Sequence, residues 1–132
     1  MTIEIQMLIA SSVLTVLHIL PYAMAYFRYW NLQTVMGNRL DVPEIPEWAK
    51  RAQLAHGNMN ENFPHFAAIV LSAAYLGIAN EMTAMGAVLF FWARLGYLVA
   101  YTLGITWVRS GLFVAGIAGE IMIIVQIIKH GL

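Results

Sequence analysis

Four ionisable side chains, Glu61, Arg94, Arg109 and Glu120, fall within long apolar stretches or at their ends. A charge at that depth in a membrane costs on the order of 2.5–3.5 kcal/mol on insertion scales. Groups retained there face a bundle interior or a wet cavity and pair with one another. Their types limit the chemistry. Arginines hold carboxylates through a two-pronged fork of parallel hydrogen bonds. A carboxylate such as Glu61 accepts from an ammonium group, and an amide such as Asn58 both donates and accepts.

Helical spacing gathers these residues into stripes. Asn58, Glu61, Asn62 and His65 share with Arg51 an arc of roughly 100°, whereas His56 and Asn60 point the other way. Arg94, Tyr97 and Tyr101 share an arc of about 60° on a later segment. Glu120 lies within about 20° of Arg109 on the last, some three turns deeper. Three such stripes can line one cavity, and its guanidiniums, carboxylates, amides and phenols suit a multiply charged anion better than a metal. His18 has no second histidine or carboxylate one turn away to share a metal, so it is expected to be a core histidine. His65, which follows Pro64 on the polar face, is expected to pack or hydrogen-bond. A plainer use of the charges is a buried ion pair, Glu61 with Arg94 or Glu120 with either arginine, that fixes helix register. Such a lock needs two groups, and the stripes supply many more.

The elements that carry the stripes belong in lipid. The 132 residues are 61% hydrophobic and 11% charged, with a mean hydropathy of +0.70, which points to a membrane protein of one domain, residues 1–132. The net charge of zero gives nucleic-acid binding no support, and the absence of cysteine removes disulfides, thiolate nucleophiles and cysteine metal sites. Four stretches reach the roughly 20 residues that a helical span needs: about 3–30, 46–76, 82–103 and 108–128. The first begins without a basic leader and is expected to be an uncleaved span, kinked at Pro21. Asn31 to Ile45 forms the one substantial loop, with Gly37, Asn38 and Pro43 as turn signals. The tight links that follow make neighbouring helices antiparallel, so the expected fold is all-α, an up-down integral membrane four-helix bundle.

Arg28, Arg39, Lys50, Arg51 and Arg109 gather on one side, which places the first and third loops in the cytoplasm and both termini outside. Tyr26, Phe27, Tyr29, Trp30 and Trp48 form an expected interfacial belt. Gly111, Ala115 and Gly119 recur every four residues, a spacing that lets backbones approach within one chain or between subunits.

The run Arg51-Ala-Gln-Leu-Ala-His-Gly-Asn58-Met-Asn-Glu61-Asn-Phe-Pro64-His-Phe66 resembles the second-helix signature of the MAPEG family, the membrane-associated proteins in eicosanoid and glutathione metabolism. Ala93-Arg94-Leu-Gly-Tyr97-Leu-Val-Ala-Tyr101 is similar to its third-helix signature, and Arg109-Ser110 matches the position of the thiol-activating arginine. The resemblance, to a bacterial-type member, covers about residues 3–128. It implies a homotrimer with glutathione held between subunits near the cytoplasmic side. Asn58 and Glu61, with Arg51 at the head of the signature, would hold polar parts of the tripeptide, and Arg94, Tyr97 and Tyr101 would line the same site. Arg109 would stabilise the thiolate, Ser110 would hydrogen-bond the sulfur, and Arg28 would meet a carboxylate. The second substrate would be a lipophilic electrophile arriving from the bilayer, for thiol addition, substitution or peroxide reduction.

Two positions depart from the family pattern. Leu54 stands where glutathione-using members carry an arginine, which removes a charged hydrogen bond of about 1.5–3 kcal/mol. Asn62 replaces the tyrosine of the leukotriene synthases. Two other classes stay open on the sequence: a structural or assembly subunit without chemistry, and a small proton-coupled exporter of lipophilic cations. The arginines argue against the exporter, since they would repel its cargo.

Overall fold

The computed structural model describes every residue from Met1 to Leu132 and contains helices and no strands. In chain order the helices are α1 (Ile3–Leu17), α2 (Ile19–Tyr29), α3 (Leu32–Met36), α4 (Glu47–Tyr75), α5 (Glu81–Leu103) and α6 (Thr106–Gly131). Local chemistry sets their ends. Thr2 Oγ1 accepts from the Ile5 N–H at the start of α1. Asn80 and Thr83 form a reciprocal capping box at the start of α5. Gly104, at φ 80°, closes α5 in the left-handed conformation that favours glycine.

The first rod breaks at His18, one turn before Pro21, and not at the proline itself. The physical reason is that a proline ring lacks the N–H that would bond the carbonyl four residues back and clashes with it, here Leu17. Pro21 then sits within the first turn of α2, where a missing N–H is tolerated. Pro64 lies inside α4 without ending it.

Three segments are long and apolar enough to cross a membrane: Ile3–Tyr29, Glu81–Leu103 and Thr106–Gly131. The fourth long helix, α4, has the length at 29 residues but carries Arg51, Asn58, Asn60, Glu61, Asn62 and His65. It therefore falls outside that set, although the sequence led us to expect four such spans.

Side-chain register shows how the rods run. Arg51 meets Thr102, and Asn58 meets Arg94, so α4 and α5 are antiparallel. Gly86 lies against Gly119, and Gly96 against Leu112, so α5 and α6 are antiparallel as well. Glu4 accepts from the Thr83 hydroxyl, and Tyr26 meets Gln53, which sets the first rod alongside α5 and against α4.

The core joins Met59, Phe66, Val70 and Ala73 of α4 to Ala87 and Phe90 of α5 and Ile123 of α6. Phe66 and Phe90 stack with ring centres 3.7 Å apart. Lipid is as apolar as these side chains, so close packing, more than water exclusion, holds such helices together. Only 27 of 132 residues are buried in the single chain, which leaves most apolar side chains for lipid or another protein surface.

The loop after α2 is tied down. Asn31 caps α3, Trp30 Nε1 donates to the Pro43 carbonyl at 2.8 Å, and Lys50 pairs with Glu44. That ammonium holds the Glu44 carboxyl below its ordinary range. Tyr26, expected in the interfacial belt, is instead buried: its ring stacks on Trp30 at 4.3 Å, and its hydroxyl accepts from Gln53. Arg39 covers that ring at 5.0 Å and donates to the Val35 carbonyl at 2.9 Å, at a φ of 58°. Arg39→Ala should loosen the loop, because the left-handed strain stays while both contacts go. Arg39→Gly removes the same contacts but relieves about 1–2 kcal/mol of strain. Limited proteolysis of residues 37–45 should therefore be faster in Arg39→Ala than in Arg39→Gly.

Candidate functional site

The polar stripes converge on one cleft. Its floor is α5, where Tyr97 and Tyr101 meet edge to face with ring centres 5.6 Å apart. One wall is α4, through Gln53, Leu54, Gly57, Asn58 and Glu61, around a recess of about 280 Å³. The other is α6, through Arg109, Ser110, Phe113 and Val114, around a recess of about 360 Å³. A third recess of about 260 Å³ forms the mouth, where Arg51 and Arg109 flank Tyr101 and the Gly104–Thr106 turn. Tyr101 borders all three.

The α5–α6 turn builds that mouth. Because α6 starts at Thr106, Arg109 stands within its first turn and its guanidinium lies 4.6 Å from the Tyr101 ring centre. Arg51 Nε donates to the Thr102 carbonyl at 3.1 Å. Neither arginine has a carboxylate within ion-pair distance; the ion pairs are Lys50 with Glu44 and Glu47, and His65 with Glu120. Two uncompensated guanidiniums at one opening favour an anion. Glu61 is exposed on the α4 wall and supplies the single negative charge among the lining residues.

At the deep end lies a buried polar network. Arg94 is 2% exposed. Its guanidinium sits 4.4 Å from the Tyr97 ring centre and its Nη2 donates to Asn58 Oδ1 at 2.7 Å, while Nε has no partner. Asn62 Nδ2 donates to the Asn58 backbone carbonyl at 2.8 Å and, at 3.3 Å, to the same Oδ1 that accepts from Arg94. Gly116 of α6 faces Arg94, and a Cβ there would meet Arg94 Cδ at 3.6 Å, an ordinary contact. Beyond it, the Glu120 carboxylate of α6, 3% exposed, meets His65 Nδ1 of α4 at 2.5 Å. That contact joins the two walls.

Arg51, Asn58, Glu61, Tyr97, Tyr101, Arg109 and Ser110 thus line one cleft, with Arg94 beneath them. Ser110 Oγ donates to the Thr106 carbonyl at 3.2 Å. Arg28 stands apart: it is exposed on α2, its guanidinium 5.7 Å from the Tyr29 ring centre, and does not line the cleft. The alternative use of the charges, an arginine–carboxylate lock, does not form, because Arg94 bonds an amide and Glu120 a histidine. The Gly111 stripe divides: Gly119 packs against Gly86, while Gly111 opens on empty space.

His18 is a core histidine, with Nδ1 2.7 Å from the Leu14 carbonyl. His56 points away from the polar stripe, where its Nδ1 lies 2.7 Å from the Tyr22 hydroxyl and its ring stacks on His18. That cluster escaped the sequence reading, although the four-residue step from His18 to Tyr22 places both on one helix face. Phe113, four residues after Arg109, was findable by the same rule.

The model of the MAPEG family matches residues 7–129. This chain belongs to the MAPEG family. No curated protein matches it. Membership and three apolar helices of spanning length together make it an integral membrane protein. The match runs from within α1 almost to the end of α6, so the whole cleft of this MAPEG protein lies inside it.

Proposed function

We propose that this MAPEG protein is a membrane glutathione transferase or peroxidase acting on lipophilic electrophiles. The observation that carries the reading is the pair of unpaired guanidiniums, Arg51 and Arg109, over the Tyr97–Tyr101 floor. Glutathione has two carboxylates, one ammonium group and a thiol. Arg51 suits a carboxylate, Glu61 the ammonium and Asn58 a peptide group. Arg109 then faces the sulfur, with Ser110 beside it as a hydrogen-bond donor. A fixed positive charge in a water-poor site favours thiolate over thiol, and a thiolate attacks carbon or peroxide oxygen.

The polar outer face of α4 supports assembly with other copies. Gly57, Glu61, Pro64 and His65 are exposed along it, a surface ill-suited to hydrocarbon. A homotrimer of four-span bundles, with α4 as the fourth span, would cover that face. Arg28 would then be free to reach a neighbouring copy's cleft. The basic residues place the two loops at the Arg51 end in the cytoplasm and both termini outside.

Titration of glutathione into detergent-purified protein tests the proposal. Saturable binding with an ultraviolet thiolate band is expected, and Arg109→Ala should keep most of the binding while losing the band. Turnover should fall by roughly a hundredfold, the usual scale for removing one preorganised donor to a developing anion. No binding to the unaltered chain would discard glutathione. Leu54 lines the α4 wall and is exposed, so Leu54→Arg would add a donor where a second carboxylate can reach it. Glutathione affinity in that variant should rise by roughly ten- to a hundredfold, the value of one charge-assisted hydrogen bond.

A further inference from the structure

The Tyr97–Tyr101 ridge divides the cleft into recesses of opposite polarity. On the α4 side stand Gln53, Asn58 and Glu61. On the α6 side stand Phe113 and Val114, with Arg109 as the single charged lining residue. Thiol transfer joins a charged tripeptide to an apolar partner, and this division suits one molecule to each side. The α6-side recess is also apart from the α4 face that other copies would cover.

Three aromatic rings line that recess. Tyr97 meets Tyr101 with ring centres 5.6 Å and planes 80° apart, and Phe113 with ring centres 6.4 Å and planes 50° apart. Guanidiniums already cover two of them, Arg94 over Tyr97 and Arg109 over Tyr101. Phe113 carries none and is half-buried, so its ring is the one left to stack on a guest. Phe113 stands one helical turn, roughly 6 Å, from Arg109, which brings a ring seated on it beside a sulfur held there. Ser110 and Val114 are exposed at the outer rim, so the recess opens sideways off α6. Its volume of about 360 Å³ lies at the low end of the roughly 300–1,000 Å³ of ordinary ligand sites. One ring or two fused rings fit that space better than a long chain.

We infer that this recess selects planar aromatic electrophiles, with Phe113 as the specificity-determining residue. This rests on the glutathione reading for the place of the sulfur, at Arg109 and Ser110. It names the substrate class: a one- or two-ring aromatic molecule with an electron-poor ring carbon that bears a halide. The thiolate sulfur attacks that carbon and a C–S bond forms. The carbon–halogen bond breaks, the halide leaves with the bonding pair, and the thiol proton has already passed to water. An electron-poor ring suits the site twice. Its carbon accepts the sulfur, and its face stacks on the electron-rich face of Phe113. A Phe113 that only packed against Tyr97 would be indifferent to whether the guest is aromatic.

The test uses the full chain in detergent micelles, with naphthalene and its saturated counterpart decalin as thiol-free probes. Naphthalene binding is read from its own fluorescence and decalin binding from competition, each referred to the probe's concentration in the micelle. Naphthalene should bind saturably and about fivefold more tightly than decalin, the fold-change of one aromatic pair. In Phe113→Leu, which keeps an apolar side chain, that preference should fall close to one, and Phe113→Tyr should restore it. With glutathione present, kcat/KM for chlorodinitrobenzene should fall about fivefold in Phe113→Leu and recover in Phe113→Tyr. Equal affinities in the unaltered chain, or a preference that survives in Phe113→Leu, overturn the inference. So does an absence of saturable naphthalene binding, which would leave the recess to a second copy. The glutathione thiolate band is read separately on the same samples. Its absence alongside an intact naphthalene preference would reject the thiol reading and leave the aromatic site standing. A band without the preference would do the reverse.

Discussion

Arg94→Leu should destabilise this protein by about 3–5 kcal/mol, the usual cost of removing one partner from a buried charge network. The leucine fits the apolar surroundings, so packing alone predicts a smaller loss. The penalty arises in what stays behind. Glu120 is 3% exposed and keeps its half-exposed partner His65, but it would lose the opposing charge of the nearby Arg94 guanidinium. Asn58 Oδ1 would lose its donor at 2.7 Å, and the amide that lines the α4 wall would be free to turn. Thermal unfolding in detergent checks the size, with Arg94→Leu/Glu120→Leu as the companion. If the network accounts for the loss, the double variant should regain much of it, because neither buried charge remains. A single variant as stable as the unaltered chain would show that Arg94 serves a ligand and not the fold.

The sequence disclosed the face of each polar residue more fully than the partner it would choose. Helical phase alone put Asn58 and Glu61 on one side of α4, Tyr97 and Tyr101 on one side of α5, and Arg109 with Glu120 on one side of α6. In the structure, Asn58, Glu61, Tyr97, Tyr101 and Arg109 line a single cleft. Phase does not say how far two helices stand apart, and that distance selects the partner. Near its mouth the cleft holds α4 and α6 apart over the two tyrosines, so Glu61 and Arg109 form no pair. At the deep end the helices meet, so Glu120 takes His65, whose ring comes within 2.5 Å of it.

The same limit explains Tyr26. An aromatic residue near a span's end looks interfacial by position, but its burial depends on a loop that folds back through Trp30, Arg39 and Pro43. The short helix α3 within that loop left no clear periodic signal over five residues. The displaced break at His18 was legible in principle, because a proline acts on the carbonyl four residues before it.

Gly86→Val and Gly119→Val should each prevent a stable fold, while Gly111→Val should be close to neutral. The glycine spacing in α6 does not distinguish these positions; the α5–α6 contact does. A Cβ built on Gly86 would lie 2.5 Å from the Gly119 carbonyl oxygen, and one built on Gly119 would lie 2.5 Å from that of Gly86. Nothing lies within 4 Å of a Cβ at Gly111. Overpacking typically costs 1–3 kcal/mol, and occasionally more, even where side chains can rotate away. Here each clashing atom is backbone, so relief requires the two helices to separate. In lipid, separation forfeits the close contact on which helix association depends. It would also draw Glu120, next to Gly119, away from His65. Gly119→Ala should therefore lower the thermal midpoint and shift the nitrogen signals of His65, although residue 119 touches neither the ring nor the cleft lining. A lowered midpoint with His65 unchanged would mean that the helices part elsewhere and that the deep network holds its own geometry.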